Sequence, residues 1–461
     1  MDKYIAPSVS VAAVNRFYRK MKEKDCEIRT LQIYKDGELM VRIAQPPYSC
    51  SYAPEVYSLS KMFTSTVVGI ASDLGYLSSD DYVLKYFPEI ETDCEYFHKM
   101  KIKHVLSMNT GHAECIMAKM SLSDDAVKGF FSVEPQFEPG THFTYNTGAT
   151  CLLGIIVSRA TGMDFFDFAS AYLFHPLGIH NIRWSRIKDG NCMCGAGLHI
   201  SSDDISKLCL TYLNNGVYGG KRILSEEWIK EAAQPISDST GNGTEDWSSG
   251  YGYQLWINYR DGYRGDGAFG QLGMVLPDHN AVIAVQAVVS DMQTEVDGVM
   301  ELLESFDSTD KEEPEDYAFS PCEKVVLPEA DMIYRLDKNN PGFGTAHLVS
   351  GENGVSLSFS DAEGNIVTIN AGNGCWLESS FVAKNMTTFL TDLMPVDIPE
   401  PLHAVGCVKS SGDKLVLCLR YLSNPHIEEY NITFDEDSLD IYVALGIRHE
   451  EDRHITGKRI K

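Results

Sequence analysis

Two periodicities share this chain, and the places where one gives way to the other divide it into regions. Near the start, Val11, Val14, Phe17, Tyr18 and Met21 recur at helical spacing behind Ser10, a residue suited to cap the first turn. Residues 28–34 and 38–43 read as strands on either side of Lys35-Asp36-Gly37, and Asp-Gly between β-rich runs signals a hairpin. A helix follows from Ser58 to about Gly75, and its body from Met62 to Ala71 is almost wholly apolar. The stretch from about 80 to 235 is mostly helical. Within it, 164–173 is a helix stopped by His175-Pro176-Leu177-Gly178, and Ser202-Asp203-Asp204 opens another that runs through Leu213 to Asn214-Asn215-Gly216. From Gly250 the period becomes two. Strands are expected at 251–258, 263–267, 271–276 and 281–289, with a closing helix at 295–306.

An acidic, proline-containing run, Asp307 to Asp316, then separates two structural styles and reads as a linker over 307–319. Beyond 320 nearly everything alternates. Strands are expected at 355–360, 365–370, 415–421, 430–434 and 439–445, with turns at Ala362-Glu363-Gly364 and Ser411-Gly412-Asp413. The fold class is therefore α/β in the α+β sense over 1–306, followed by an all-β antiparallel domain, a barrel or a sandwich, over 320–461. In the first domain the simplest packing joins the early hairpin and the late strands into one antiparallel sheet. The first helix and the 295–306 helix would cover one face, and the inserted helices would form a lobe. A cleft between sheet and lobe would hold Ser58. The second domain carries no catalytic constellation and reads as a structural or interface module.

A chain of 461 residues is long for one core, which supports two domains. A net charge of −26 argues against a nucleic-acid backbone or an anionic membrane as partner. No apolar run is long enough to span a bilayer, and 281–289 reads as a buried strand. The N-terminus shows no apolar leader after its charges, so the twelve cysteines are expected to be reduced core thiols in a cytoplasmic protein. Cys192-Met193-Cys194 has no second ligand pair at metal-binding spacing.

Ser58 and Lys61 open the apolar helix one turn apart, where the amine reaches the hydroxyl. The helix N-terminus and burial both lower a lysine pKa toward the neutral form a base needs, so a serine nucleophile with a lysine helper is expected. The spacing alone is common: Ser185–Lys188, Ser308–Lys311 and Ser411–Lys414 repeat it without opening an apolar helix.

Ser58-Leu59-Ser60-Lys61, Asp80-Asp81-Tyr82-Val83 and Phe87-Pro88-Glu89 resemble the serine β-lactamase/penicillin-binding superfamily, in its class C-like branch of esterases and D-amino-acid peptidases. Further segments agree in order over about residues 10–306: Ile102 to His112, Gly140 to Tyr145, Leu152 to Ile156, Pro176-Leu177-Gly178 and Gly197-Leu198-His199. The resemblance implies that Tyr145 relays the serine proton, where the alternative is a core tyrosine bonded to backbone. It places Thr147 where the family carries a substrate-binding asparagine, with Asn146 one place early. It implies that Gly267-Ala268-Phe269-Gly270-Gln271 supplies the Ala268 amide, which with the Ser58 amide would form an oxyanion hole. The customary basic side chain is absent there; Arg264 either binds a substrate carboxylate or pairs with Asp266. His112 and His142 read as structural, and the Gly-x-Ser-x-Gly elbow is absent around Ser58.

The resemblance thus implies a hydrolase acting through an acyl-enzyme on a small-molecule ester or amide, with no metal or organic cofactor. Esterase, D-amino-acid amidase or peptidase, and β-lactamase-like activities all fall within it. Cytoplasmic placement would argue against peptidoglycan crosslinking and antibiotic defence. Altered second and third motifs leave a rival: a catalytically silent fold that binds a ligand or partner. Oligomeric state is not set by the sequence.

Overall fold

Three short-range signals at the start of the chain are realised together. A short strand β1 (Lys3–Ile5), absent from the sequence reading, adds to the edge of a hairpin made of β2 (Glu27–Lys35) and β3 (Glu38–Ala44). Between them α1 (Val11–Glu23) is capped by Ser10, whose side chain accepts the Ala13 N–H. The computed structural model describes residues 3–339, 341–382, 401–412, 414–445 and 453–460. They fall into two units, the first built mainly of Met1–Gln45 and Ser49–Tyr317, the second mainly of Ala318–Leu393 and Ile398–Lys461.

In the first unit the late strands are β4 (Trp256–Ile257), β5 (Tyr263–Gly267), β6 (Gln271–Leu276) and β7 (Ala281–Val288). They complete a seven-stranded sheet in the order β1-β3-β2-β7-β6-β5-β4. β2 and β7 pair antiparallel, with Leu31 opposite Val285 and Ile33 opposite Ile283. The uninterrupted apolar run of β7 follows from cover on both faces. Ile283 and Val285 pack with Val14, Phe17 and Met21 of α1 and with Val299 and Leu303. Those last two belong to a helix at Met292–Glu304, capped by Asp291. Val282 and Ala284 point the other way, into a larger core with Met62, Val67, Leu152, Ile205 and Leu208.

That second core belongs to the helical lobe. Its central element is α2 (Ser60–Asp73), in which every residue from Ser60 to Ala71 is buried. A helix surrounded on all sides needs apolar residues all round, which explains the composition of this stretch. Around it stand α3 (Thr147–Thr161), α4 (Ser202–Leu213) and shorter helices; the Met292–Glu304 helix is α5. Polar groups seat α4 on the sheet: Gln32 donates to Asp203 at 2.7 Å, and Arg42 pairs with the same carboxylate at 3.0 Å. Among the described residues no single helix is long and apolar enough to cross a membrane.

Two local expectations change. Ser58 lies in a 3-10 turn, Tyr57–Leu59, and the α-helix proper begins at Ser60. The strand expected at 251–258 is confined to Trp256–Ile257. Gln254 has φ +61°, and this left-handed residue turns Tyr251 and Tyr253 out of the ladder. Its amide instead donates to the Leu106 carbonyl at 2.8 Å and its side-chain oxygen accepts from Thr150 at 2.7 Å.

The acidic run after α5 lies along α1. Asp310 pairs with Arg16, and Glu312 and Glu315 pair with Arg19; these exposed pairs are individually weak. The firmer anchor is Tyr317, 7% exposed, stacked on Tyr18 with ring centroids 4.3 Å apart and bonded through its hydroxyl to Asn15.

The second unit is a barrel. Among the described residues ten strands form one sheet of antiparallel neighbours, with Ala330–Leu336 beside Arg453–Arg459 and a further, parallel pairing of Gly372 with Cys407. Alternating inward residues, among them Phe359, Leu357, Leu417, Leu419, Ile432 and Ile441, fill its core. Asp413 of the expected turn lies outside the described residues. The barrel also corrects the cysteine reading. Cys322 and Cys407, 85 positions apart, form a disulfide, and the other ten cysteines are not disulfide-bonded. The expectation of reduced thiols throughout rested on the apparent lack of a leader, which cannot foresee that the segment before the first barrel strand brings Cys322 to Cys407 on a strand.

Removing the Tyr317 ring is expected to expose the Tyr18 face and leave Asn15 without its phenol. Tyr317→Ala should therefore destabilise the first unit by about 2–3 kcal/mol, read as a lower urea midpoint with an unchanged slope.

Candidate active site

The site begins with a turn held in an uncommon conformation. Tyr57 has φ +47°, a region that a residue with a side chain rarely enters unless its surroundings impose it. The surroundings do so here. The Val56 N–H donates to the Leu198 carbonyl at 2.9 Å, the Ser60 hydroxyl donates to the Tyr57 carbonyl at 2.6 Å, and the Leu198 N–H donates to Ser60 Oγ at 3.1 Å. Ser58 sits on this pinned turn, half-buried, at the head of α2.

Lys61 is 1% exposed. Its Nζ lies 3.0 Å from Ser58 Oγ, 3.2 Å from Thr147 Oγ1 and 2.6 Å from the Gly195 carbonyl oxygen. None of these three partners is a carboxylate. Burial therefore lowers the amine to about 8, with Cys151, Cys115 and Asp266 opposing the shift. The Gly195 contact was not anticipated. A side chain there would meet Thr147, whose Cγ2 stands 2.6 Å from where a Cβ would lie, so only glycine brings this carbonyl to the lysine.

Tyr145 faces the same atoms. Its hydroxyl interacts with the Ser58 side chain, and Lys61 Nζ lies 4.7 Å from the ring centroid. Burial, then the negative charge of Asp266, raise the phenol well above its ordinary range, so it stands as a neutral O–H. Thr147 is half-buried and touches Lys61. Asn146 has a different place. It is the N-cap of α3: its side-chain oxygen accepts the Ala149 and Ile116 N–H groups, each at 3.2 Å, and the residue is fully buried.

Strand β5 brings the opposite wall. A Cβ on Gly267 would lie 2.1 Å from the Val56 carbonyl oxygen and 3.1 Å from the Leu59 nitrogen. The absence of a side chain thus lets the strand end press onto the Ser58 turn, and Ala268 follows it, exposed. Phe269 at φ +69° and Gly270 at φ +86° then reverse the chain. Arg264 is not brought to the cleft. It is 0% exposed, 3.2 Å from Asp266, 2.8 Å from Asn258 Oδ1 and 3.0 Å from the Asp246 carbonyl, with its guanidinium 4.3 Å from the Trp247 ring centroid. Of the two readings of Arg264, the geometry contains the pair with Asp266. His112 is also internal, bonded to Thr110 and to the Val133 carbonyl, and burial lowers it.

The site therefore gathers Ser58, Lys61, Tyr145, Thr147, Gly267 and Ala268, and leaves Asn146 and Arg264 in supporting positions. The beta-lactamase family model matches residues 30–301, which contain all of these positions. This chain belongs to the beta-lactamase family. Curated members match between a quarter and somewhat over half of this chain. Penicillin-binding protein 4* of Bacillus subtilis (strain 168) is 26% identical over 139 residues, 28% of this chain and 30% of that protein, so the chain spans under a third of that relative's length. The 6-aminohexanoate-dimer hydrolase of Paenarthrobacter ureafaciens is 24% identical over 305 residues, 56% of this chain and 74% of that protein. Among solved structures, the octameric penicillin-binding protein homologue from Pyrococcus abyssi has the same fold at a TM-score of 0.51 and 16% identity, covering 96% of this chain and 99% of that one.

Two outcomes follow from this geometry. If Lys61 is the base, kcat/KM should rise with pH through an apparent pKa of about 8, because the ammonium present below that pH cannot take a proton. Gly267→Ala should push β5 off the Ser58 turn and lower kcat by roughly 100-fold, the scale of losing one oxyanion donor, while a circular dichroism spectrum stays native.

Proposed function

We propose that this chain is a serine hydrolase that works through an acyl-enzyme. The observation that carries the reading is the Lys61 amine, buried without a bonded carboxylate and 3.0 Å from Ser58 Oγ. A neutral amine at that distance is a base with its proton donor already in hand. Lys61 takes the Ser58 proton as Oγ attacks the carbonyl carbon, and the Ser58 and Ala268 N–H groups receive the developing oxyanion. Tyr145 gives its proton to the leaving group as the carbonyl–leaving-group bond breaks and takes the serine proton back from Lys61, so that both groups return to their neutral forms. Water then attacks the acyl-enzyme, its proton returns to Ser58 Oγ through the same groups, and the acid leaves. The sum is ester or amide plus water giving acid plus alcohol or amine.

The substrate is a small ester before an amide, and one without a carboxylate beside the scissile bond. The guanidinium of Arg264 is tied to Asp266 and Asn258 and lies away from the cleft, and Thr147 offers a hydroxyl where an amide side chain would hold a substrate amide. The name of the 6-aminohexanoate-dimer hydrolase relative supports linear amides as the second class.

A fluorophosphonate probe tests the reading. The native chain should label and Ser58→Ala should not; absent labelling, or equal labelling of the variant, leaves a binding protein instead. Among chromogenic substrates, short p-nitrophenyl esters should turn over fastest, D-amino-acid p-nitroanilides slowly and a cephalosporin least. Turnover of the cephalosporin alone would overturn the substrate assignment while keeping the nucleophile.

A further inference from the structure

Behind the phenol that touches Ser58 lies a second set of groups that the reaction as written does not use. The Trp256 ring is stacked on Tyr145 with centroids 5.5 Å apart and planes 9° from parallel. Tyr251 closes the other directions, edge-on to Trp256 at 4.7 Å and 84°, and edge-on to Tyr145 at 6.1 Å and 86°. Phe143 packs against both Tyr251 and Trp256. Trp256 is 4% exposed, so its ring is a wall rather than a substrate surface. Trp256 stands opposite Arg264 in the β4–β5 ladder, and its indole favours the charged form of the neighbouring Asp266. Asp266 is held in turn by Arg264, and Arg264 by Asn258, the Asp246 carbonyl and the Trp247 face.

A stacked pair of rings holds its geometry when one of them is fixed by its surroundings. Here Tyr251 and Phe143, packed against the indole, and the ladder to Arg264 fix the indole, and the stack transmits its orientation to the phenol. We infer that Trp256, held by its packing and by the strand that carries Arg264 and Asp266, is a positioning residue that aims the Tyr145 hydroxyl at Ser58. The inference rests on the hydrolase reading of Ser58, Lys61 and Tyr145. It also accounts for Arg264, a charged side chain with no exposed surface and no route to substrate. Its role is to keep a carboxylate in place under an aromatic wall.

Asp266 acts by charge as well as by position. The titratable groups around it are Arg264 on its own strand, Asp246, Lys61 of α2, Tyr145, Tyr251 and Glu295 of α5. Its negative charge favours the ammonium form of Lys61 and disfavours the phenolate of Tyr145. Removing that charge makes Lys61 neutral at lower pH.

The test is a double-mutant cycle on p-nitrophenyl ester hydrolysis, with fluorophosphonate labelling run in parallel. Trp256→Leu should lower kcat by roughly 10-fold or more, within the range of a lost proton relay, and leave KM within about 3-fold. Trp256→Phe, which keeps a ring to stack but loses the N–H, should fall between. Combined with Tyr145→Phe, Trp256→Leu should cost nothing further, because its effect passes through the phenol. Asp266→Asn should lower kcat and move the acidic limb of kcat/KM to lower pH. A Trp256→Leu variant with native kcat, or losses that multiply in the double variant, would overturn the inference. Should Trp256→Leu fail to fold, Trp256→Phe in the same cycle and the limb of Asp266→Asn decide the matter. A native chain that takes no label at Ser58 sinks the hydrolase reading itself. Normal native labelling with multiplying losses sinks only the role of Trp256.

Discussion

A lysine amine kept dry without a negative partner is the constraint on which the rest of this unit depends. Burying an ammonium is costly, and the chain brings the neutral form within reach, at a pKa of about 8, by surrounding Lys61 with the wall of α2, a hydroxyl, a threonine and one carbonyl. Each neighbour places a demand on its own element. The carbonyl requires glycine at 195, the hydroxyl requires a pinned turn at Tyr57, and the apolar wall requires a central helix that no face of the protein leaves to solvent. Seen this way, the apolar body of α2 and the polar head at Ser58 and Lys61 are one device.

The two faces of the site are supplied by different parts of the chain. The lobe brings the nucleophile and base, and the sheet brings the strand end at Gly267 and the aromatic wall at Trp256. Their approach is set by an absence of side chains in β5 facing α2 and by charged residues on its other face. Alternation along one five-residue strand thus separates contact with the nucleophile turn from the Arg264–Asp266 pair.

Much of this was legible in residue order. The unbroken apolar run of β7, the Asp-Gly hairpin and the apolar helix behind Ser58 are local signals, and local patterning survives translation into structure. What was not legible depended on groups meeting from afar. Aromatic residues at 251–258 favour a strand by propensity, yet they serve as packing around Tyr145, and Gln254 breaks the ladder to allow it. Asn146 and Thr147 are adjacent, and only the start of α3 decides that one caps the helix while the other reaches the lysine. The indole of Trp256 gave no signal at all, since its partner Asp266 is a neighbour only once β4 and β5 lie side by side. The same holds for Cys322 and Cys407 in the barrel.

The pairing of β2 with β7 has a consequence for the birth of the protein. The last residue of β2 is Lys35, and its partner Ala281 opens β7. At roughly 5–20 residues per second a ribosome needs about 12–50 s to cover that interval. Through that time one edge of the early hairpin faces no strand, with Leu31 and Ile33 among its side chains. Synthesis of the whole helical lobe intervenes before the sheet can close, so the lobe has time to collapse around α2 first. The nucleophile turn would then be assembled before the wall that aims the phenol, and the closing strand β7 would follow both.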